Sequence, residues 1–252
     1  EIPLRLVGSE MCIRDRISPS VLGFIEKNNI NLANEFKLRK TSFHTKDEHW
    51  TQPWGENKSM REHYNELAVH LKNSKVNLTI RFRAFNDGVG FRYEYDVPSV
   101  DSLFVMDELT TFNIAEDGVS WSIPANFDTY EILYSEKPVS AIKDANTPMT
   151  FKTNSGVYGS IHEAALYDFP EMTLQRREGT SFKSNLAPWP DGVKVKKPNH
   201  FTTAWRTLQI GDKAVDLINS GLILNLNPPC QLETTDWIEP MKYVGVWWGM
   251  HV

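Results

Sequence analysis

Two alternating segments joined by a tight turn most constrain the fold of this chain. From Val76 to Ala84 apolar and polar side chains alternate residue by residue, and the same period returns from Val89 to Tyr95. Between them, Asn86-Asp87-Gly88 has the composition of a turn in which Gly tolerates positive φ. A period of two is typical of a strand with one buried face. The two segments therefore predict an antiparallel hairpin.

Shorter segments of similar character recur at intervals typical of a β-sandwich. Clusters of Pro, Gly, Asn and Asp separate them, and helical periodicity is limited to a short stretch from Lys137 to Lys143. The pattern predicts an all-β fold, a large antiparallel β-sandwich, rather than an α/β fold or a repeat propeller. The segments are Ser102 to Met106, Gly118 to Ile123, Met149 to Thr153, Val157 to Ile161, Met172 to Arg176 and Ala214 to Leu226.

The composition of the chain argues against some classes of binding partner. The 252 residues carry a net charge of −5 with dispersed Lys and Arg, which argues against a nucleic-acid partner. No apolar run reaches the roughly 18 to 20 residues of a membrane helix, so we expect no membrane partner. Two cysteines provide neither a disulfide framework nor a zinc motif. The eight Trp suit both β-sheets and the stacking of aromatic rings on sugars.

The first residues do not resemble the rest of the chain. Residues 1–16 follow neither a strand nor a helix period, and Val7 to Arg16 looks like a translated sequencing adapter. We interpret residues 1–16 as a non-native, adapter-derived segment and exclude it from the fold. The natural amino terminus would then be missing, so the lack of a signal peptide says nothing about export.

The last residues also differ in character. Tyr243 to Val252 is an apolar run without polar alternation, and it follows Pro228-Pro229 and a polar segment. Such a run is typical of a strand buried on both faces in a parallel sheet, although it also suits a last sandwich strand. We predict that residues 17–235 form the sandwich and that residues 236–252 are a linker and the first strand of a truncated second domain.

Six segments stand in a characteristic order along the chain. They are Trp54-Gly55-Glu56 with His63 to Leu67, Phe85 to Tyr93, Ile161 to Leu166, Ala204 to Arg206, Asn225 to Pro229 and Trp237 to Trp248. From about residue 50 to the end, this order resembles glycoside hydrolase family 97. The resemblance implies a galactose-mutarotase-like supersandwich followed by a (β/α)8 catalytic barrel, with Tyr243 to Met250 as the first barrel strand.

The same resemblance implies a function for the whole protein. The family contains calcium-dependent inverting α-glucosidases and retaining α-galactosidases, which use paired carboxylates from late barrel strands. No catalytic residue is therefore expected in this chain, and the fragment alone should be inactive. Tyr243 to His251 looks more like the α-glucosidase branch, which favours a calcium-dependent inverting enzyme.

Family resemblance also assigns individual residues. Glu163 matches a glutamate that reaches from the sandwich to the barrel and helps to bind calcium, for which further oxygen ligands must come from the barrel. Trp248 would lie near the end of the first barrel strand and line the substrate pocket, or else pack as a core aromatic. His162 is interpreted as a hydrogen-bonded structural residue. Glu56 and Glu66 are interpreted as structural carboxylates, with Glu66 one helical turn from His63.

The expected partners follow from this assignment. They are an oligosaccharide or α-glycoside substrate, a calcium ion and the missing catalytic barrel of the same chain. Family members are typically exported, so we expect a periplasmic location. Two alternatives stay open: a non-catalytic carbohydrate-binding β-sandwich, and the retaining α-galactosidase branch of the same family.

Overall fold

The chain folds almost entirely into antiparallel β-structure, and a computed structural model describes residues 17–239, 241, 242, 244 and 245. The strands within these residues are β1 (Ile17–Ser18), β2 (Phe24–Glu26), β3 (Asn31–Leu32), β4 (Lys37–Thr51), β5 (Ser59–Lys72), β6 (Asn77–Phe85), β7 (Gly88–Asp96), β8 (Ser102–Glu108), β9 (Thr111–Ile114), β10 (Gly118–Ser122), β11 (Ser135–Pro138), β12 (Asp144–Asn146), β13 (Met149–Thr153), β14 (Tyr158–Ala164), β15 (Met172–Arg176), β16 (Ser181–Leu186), β17 (Val195–Pro198), β18 (His200–Thr202) and β19 (Trp205–Gly211). The helices are α1 (Ala214–Ile218) and α2 (Leu222–Leu226), and a 3₁₀ turn spans Val139–Ala141.

Three sheets enclose one hydrophobic core. The largest has the order β11-β10-β13-β14-β19-β7-β6-β5-β4, with β18 also paired to β7. The second has the order β1-β9-β16-β15-β12, and the third β17-β8-β2-β3. Side chains from all three sheets meet in the core, among them Ile80, Leu174 and Val105. The large antiparallel β-sandwich that the sequence predicts is confirmed.

The predicted hairpin is formed by β6 and β7. Its register pairs Phe85 with Gly88 and Ile80 with Tyr93, so the alternating apolar residues enter the core. Gly88 has φ +151°, and a Cβ on it would lie 2.2 Å from the carbonyl oxygen of Leu208 in β19. A glycine is therefore required both by the turn and by the close approach of the neighbouring strand.

Aromatic side chains fill the centre of the core. Phe24 meets Tyr93 and Tyr95 edge to face, with ring centroids 5.1 and 5.8 Å apart. The Tyr95 hydroxyl donates to the carbonyl of Leu32 at 2.7 Å, and the Tyr93 hydroxyl lies 2.7 Å from Thr110 Oγ1. Both buried hydroxyls are thus satisfied, which removes the desolvation penalty of placing Tyr in a core.

More of the first third of the chain forms β-strands than the apolar pattern of its sequence indicates. β4 is a 15-residue edge strand that pairs with β5, and most of its side chains are exposed on both faces. Without a buried face it needs no apolar alternation, and its many charges protect a sheet edge. The interpretation of His63 and Glu66 as helix-turn neighbours is wrong, because both lie in β5.

The segment from Ala214 to Leu226 is helical, so its prediction as a strand is wrong. It forms α1 and α2 on the outer face of the largest sheet, where Leu222 and Leu226 pack against Trp205. These two leucines are four residues apart, which places them on one helical face. Of the residues described, no helix has the length and apolar character that a membrane crossing requires.

Candidate functional site

Glu163 lies near the end of β14 and faces the interior of the sandwich. Its partner across the strand pair is Arg206 of β19, and residues paired in this way present their side chains on the same face. Arg206 Nη1 donates to Glu163 Oε2 at 2.8 Å, and the Met172 backbone N–H donates to Glu163 Oε1 at 2.9 Å. Both carboxylate oxygens are thereby held in place.

Arg206 connects this carboxylate to a second one. Its Nε and Nη2 donate to the two oxygens of Glu108 at 2.9 and 2.6 Å, a bidentate pair. The Arg206 residue is 1% exposed, and the Phe169 ring lies 5.6 Å from its guanidinium. Glu108 ends β8, so this buried ion triad of Glu108, Arg206 and Glu163 joins the largest sheet to the four-stranded one.

The triad holds two carboxylates against one guanidinium. Burial raises the pKa of Glu163 to about 7, although Arg206 and the Met172 N–H lower it, and Glu108 and Glu171 add to the increase. The Glu163 carboxyl therefore changes its charge near neutral pH. A buried group with such a shifted pKa is a recognised sign of a functional position.

This shift predicts a pH-dependent stability. The pKa of the carboxyl is 4.5 in the unfolded chain and about 7 in the folded one. Between these values the folded state holds more protons, so this group lowers the free energy of unfolding as pH rises, by about 3 kcal/mol in total. Glu163→Gln should remove that slope, as measured by urea midpoints at about pH 4.5, 6 and 7.5. The exposed Glu136→Gln should keep the wild-type slope, and an unchanged slope in the Glu163→Gln chain would contradict the assignment.

A short loop, residues 165–171, covers the triad. Ala165 and Asp168 both adopt positive φ, 51° and 49°, which turns the chain sharply after β14. The Ala165 N–H donates to Asn227 Oδ1 at 3.1 Å, and the Tyr130 hydroxyl donates to Glu171 Oε2 at 3.2 Å. The loop is thus fixed from two sides, and it carries Phe169 onto Arg206.

The part of the chain that the structure describes does not form a calcium site by itself. Within it, no group of three or more His, Cys, Asp or Glu side chains is arranged to hold a metal ion. Calcium takes six to eight oxygens, whereas Glu163 offers two. Each of those oxygens accepts one hydrogen bond and keeps a second lone pair. Glu163 alone could therefore supply only part of a calcium shell.

The other residues singled out from the sequence lie apart from the triad. His162 is adjacent to Glu163 in β14 but points to the opposite face of the sheet, since strand side chains alternate. Burial lowers its pKa, and its Nδ1 has no hydrogen-bond partner among the described residues, so the interpretation of His162 as hydrogen-bonded is wrong for this atom. Glu56 is exposed in a loop. Glu66 accepts hydrogen bonds from Arg81 and Arg83 at 2.5 and 2.8 Å, as expected for a structural carboxylate.

The predicted pocket residue Trp248 lies outside the described residues. So does most of the strand predicted from Tyr243 to Met250. Both stay predictions. Arg206 and Glu108, by contrast, are site residues that the sequence did not reveal. Arg206 belongs to one of the six ordered segments, and an arginine within an apolar strand was a signal of a buried ion pair; Glu108 carried no such signal.

Comparison with known proteins decides the family. A family model described as the N-terminal domain of glycosyl-hydrolase 97 matches residues 13–229, which is most of the chain. The chain belongs to glycoside hydrolase family 97. The resemblance carried by the six ordered segments is confirmed, and family 97 members are glycoside hydrolases.

Solved structures of a family 97 enzyme from Pseudoalteromonas sp. strain K8 are similar to this chain. Two of them are complexes, one with panose and one with acarbose. Each is 41% identical, with a TM-score of 0.87 over 94% of this chain and 37% of the solved one. A retaining alpha-galactosidase from Bacteroides thetaiotaomicron is 25% identical over 94% of this chain and 40% of its own length. The chain thus spans about two-fifths of the length of these family 97 relatives.

A more distant structure, a beta-arabinopyranosidase, supports the fold alone. It is 21% identical, with a TM-score of 0.70, and matches 78% of this chain and 35% of its own. A protein of much lower identity therefore shares the sandwich architecture. A shared architecture does not show a shared substrate.

Proposed function

We propose that this chain is the N-terminal domain of a larger hydrolase of α-glycosidic bonds. The observation that carries the proposal is the 41% identity, over nearly the whole chain, to an enzyme solved in complex with the oligosaccharides panose and acarbose. We further propose the α-glucosidase-like branch, which the resemblance of Tyr243 to His251 to that branch and the panose and acarbose complexes of the similar enzyme support. The catalytic carboxylates would lie in a barrel outside this chain, so the chain alone should not hydrolyse glycosides.

Within that enzyme, Glu163 would be one ligand of a calcium ion beside the sugar. Calcium would polarise and orient oxygen atoms of the substrate when bound. The residues of this chain would position the ligand: Arg206 and the Met172 N–H hold the carboxylate, and loop 165–171 covers it. A nearby divalent cation would also favour the ionised form of Glu163 and lower its pKa from about 7.

The proposal includes whether hydrolysis inverts or retains the configuration of the anomeric carbon. An inverting enzyme holds its two carboxyl groups about 6.5–9.5 Å apart to admit a water, and a retaining enzyme about 5–5.5 Å. We propose inversion, in line with the α-glucosidase-like branch. The similarity to a retaining alpha-galactosidase favours the second candidate, retention on α-galactosides, at lower identity. We also propose a periplasmic location, which fractionation of the source cells would test.

Hydrolysis by the longer protein tests the proposal. Release of nitrophenol from α-glucoside and α-galactoside should be measured with calcium and after chelation, and NMR should identify the first anomer released. We expect calcium-dependent hydrolysis of the α-glucoside with inversion. Glu163→Gln should raise the calcium concentration for half-maximal activity by at least about 10-fold to 100-fold, because the loss of an outer-shell partner alone typically has an effect of that size.

A matched control separates ligation from general damage. Glu66→Gln also alters a buried carboxylate held by arginines, but on the outer face of the sheet. It should leave the calcium requirement unchanged, and calcium should raise the melting temperature of the wild type but not of the Glu163→Gln enzyme. Hydrolysis of α-galactoside with retention would favour the second candidate, and calcium-independent hydrolysis would refute the ligand role.

A further inference from the structure

A polar cleft opens beside the loop that covers the triad. Its volume is about 320 Å³, at the lower end of the roughly 300–1,000 Å³ typical of small-molecule sites. Loop 165–171 forms one wall, and the turn and strand from residue 187 to 197 form the other. The polar and aromatic side chains that line it include Asp168, Trp189, Lys194, Lys196 and Lys197. We propose that this cleft binds a neutral pyranose unit of an oligosaccharide, with Trp189 as its stacking platform.

Trp189 is presented by a rigid turn. Pro188 and Pro190 flank it, its N–H donates to the Val193 carbonyl at 2.8 Å, and its carbonyl accepts from the Gly192 N–H at 2.8 Å. The residue is nevertheless 55% exposed; Lys196 Nζ lies over one face of its ring, 5.1 Å from the centroid, so a sugar would stack on the opposite face. A preorganised, exposed indole loses little conformational entropy when a flat apolar sugar face stacks on it.

The charges of the cleft favour a neutral ligand over an anion. Each of its three lysines is paired with a carboxylate: Lys197 with Asp168 at 2.5 Å, Lys196 with Asp191 at 2.6 Å and Lys194 with Asp107 at 3.2 Å. An anion would have to displace these carboxylates. Sugar hydroxyls both donate and accept, so they can bind the carboxylate and the ammonium group of one pair without breaking it.

Asp168 is placed to meet such a ligand. Its side chain is 94% exposed, and its backbone adopts φ 49°, a left-handed conformation that Asp tolerates in turns. Lys197 fixes the carboxylate from the protein side and leaves its second oxygen for a ligand.

Binding to the 252-residue chain tests the proposal. The choice of an α-linked saccharide rests on the proposed function, whereas the preference for a neutral, hydroxyl-rich ligand rests on the cleft. Panose and maltotriose should bind in isothermal titration calorimetry with a dissociation constant of about 1 mM, an affinity expected for one stacked ring and a few hydrogen bonds. Trp189→Ala should weaken binding by at least about tenfold, and Asp168→Ala by a similar factor.

Control variants make the result specific. Trp54→Ala removes an indole of similar exposure, 62%, from the loop between β4 and β5, and should leave binding unchanged. Trp189→Tyr keeps a stacking ring and should retain most of the affinity, with circular dichroism reporting the fold of every variant. Absence of saccharide binding by the wild type, equal losses in the Trp54→Ala and Trp189→Ala chains, or binding of inorganic sulfate alone would overturn the proposal. Because no hydrolysis is measured, failure here is distinct from failure of the proposed activity.

Discussion

Replacing Arg206 with Met should lower the free energy of unfolding by about 3–5 kcal/mol, the range for breaking a buried ion pair from one side. The methionine fills similar volume but leaves Glu108 and Glu163 without the guanidinium that both contact. At about 2–4 °C per kcal/mol for a domain of this size, the melting temperature should fall by on the order of 10 °C. The loss should be larger at about pH 8 than at about pH 5, because burial raises the pKa of Glu163 and its carboxyl is neutral at the lower pH.

Urea unfolding followed by far-UV circular dichroism measures this effect. The control is Arg61→Met, which removes an exposed arginine paired with Asp47 and should move the midpoint little. Combining Arg206→Met with Glu108→Gln and Glu163→Gln should restore most of the lost stability, because the uncompensated charges disappear together. If the single variant unfolded at the wild-type midpoint at alkaline pH, the triad would not be the electrostatic link between the two sheets.

Three regions predicted correctly, β6, β7 and β13, are strands with one face directed into the core. Because the core accepts apolar side chains from that face, buried and less buried residues alternate, and the sequence shows the same period of two. β4 has no buried face, and its position is fixed by hydrogen bonding to β5 rather than by apolar contacts. A pattern-based prediction cannot find a strand of this kind.

The prediction for the segment from Ala214 to Leu226 failed for the opposite reason. The segment is rich in apolar residues, but its helices are only five residues each, too short to establish a helical period. What orients them is tertiary contact: Leu222 and Leu226 pack on the outer face of the largest sheet. Local composition therefore indicated burial without indicating which backbone conformation achieves it.

In the candidate site, too, local sequence motifs identified one residue, whereas its contacts with residues far apart in the sequence could not be predicted. Glu163 was found because its segment belongs to an ordered set of family motifs. Its pairing with Arg206, 43 residues away, depends on the register of β14 against β19, and Glu108 comes from another sheet. No local pattern encodes contacts at such separations, so the electrostatic character of Glu163 follows only from the fold.

One loop connects the candidate site to the proposed saccharide cleft. Residues 165–171 carry Phe169 onto the Arg206 guanidinium, and Asp168 of the same loop forms part of the cleft wall. Its two positive-φ residues and its anchors at Asn227 and Tyr130 restrict its conformation. A ligand in the proposed cleft would therefore contact the same short segment that shields Glu163.

Replacing Trp205 with Ala should destabilise the outer face of the sandwich by about 3–5 kcal/mol, the usual range for removing a buried Trp. Trp205 is 1% exposed, and the guanidinium groups of Arg83 and Arg92 lie 5.0 and 4.6 Å from its ring. The indole also supports Leu222 and Leu226 of α2. Its loss would leave a cavity and remove the ring contacts of Arg92 and Arg83, of which Arg83 keeps its contact with Tyr64. The helical segment should therefore detach before the sheet unfolds.

Limited trypsin digestion measures this detachment, because Lys213 immediately precedes α1. Cleavage after Lys213 should accelerate in the Trp205→Ala chain under native conditions, while the urea midpoint falls and Trp205→Phe shows an intermediate effect. Trp54→Ala should change neither quantity, since that indole is exposed in a loop. A lower urea midpoint with unchanged cleavage at Lys213 would mean that the helices are held by contacts other than Trp205. In that case the loss of stability would belong to the sheet itself, where Arg83 and Arg92 pair with Glu66 and Glu94.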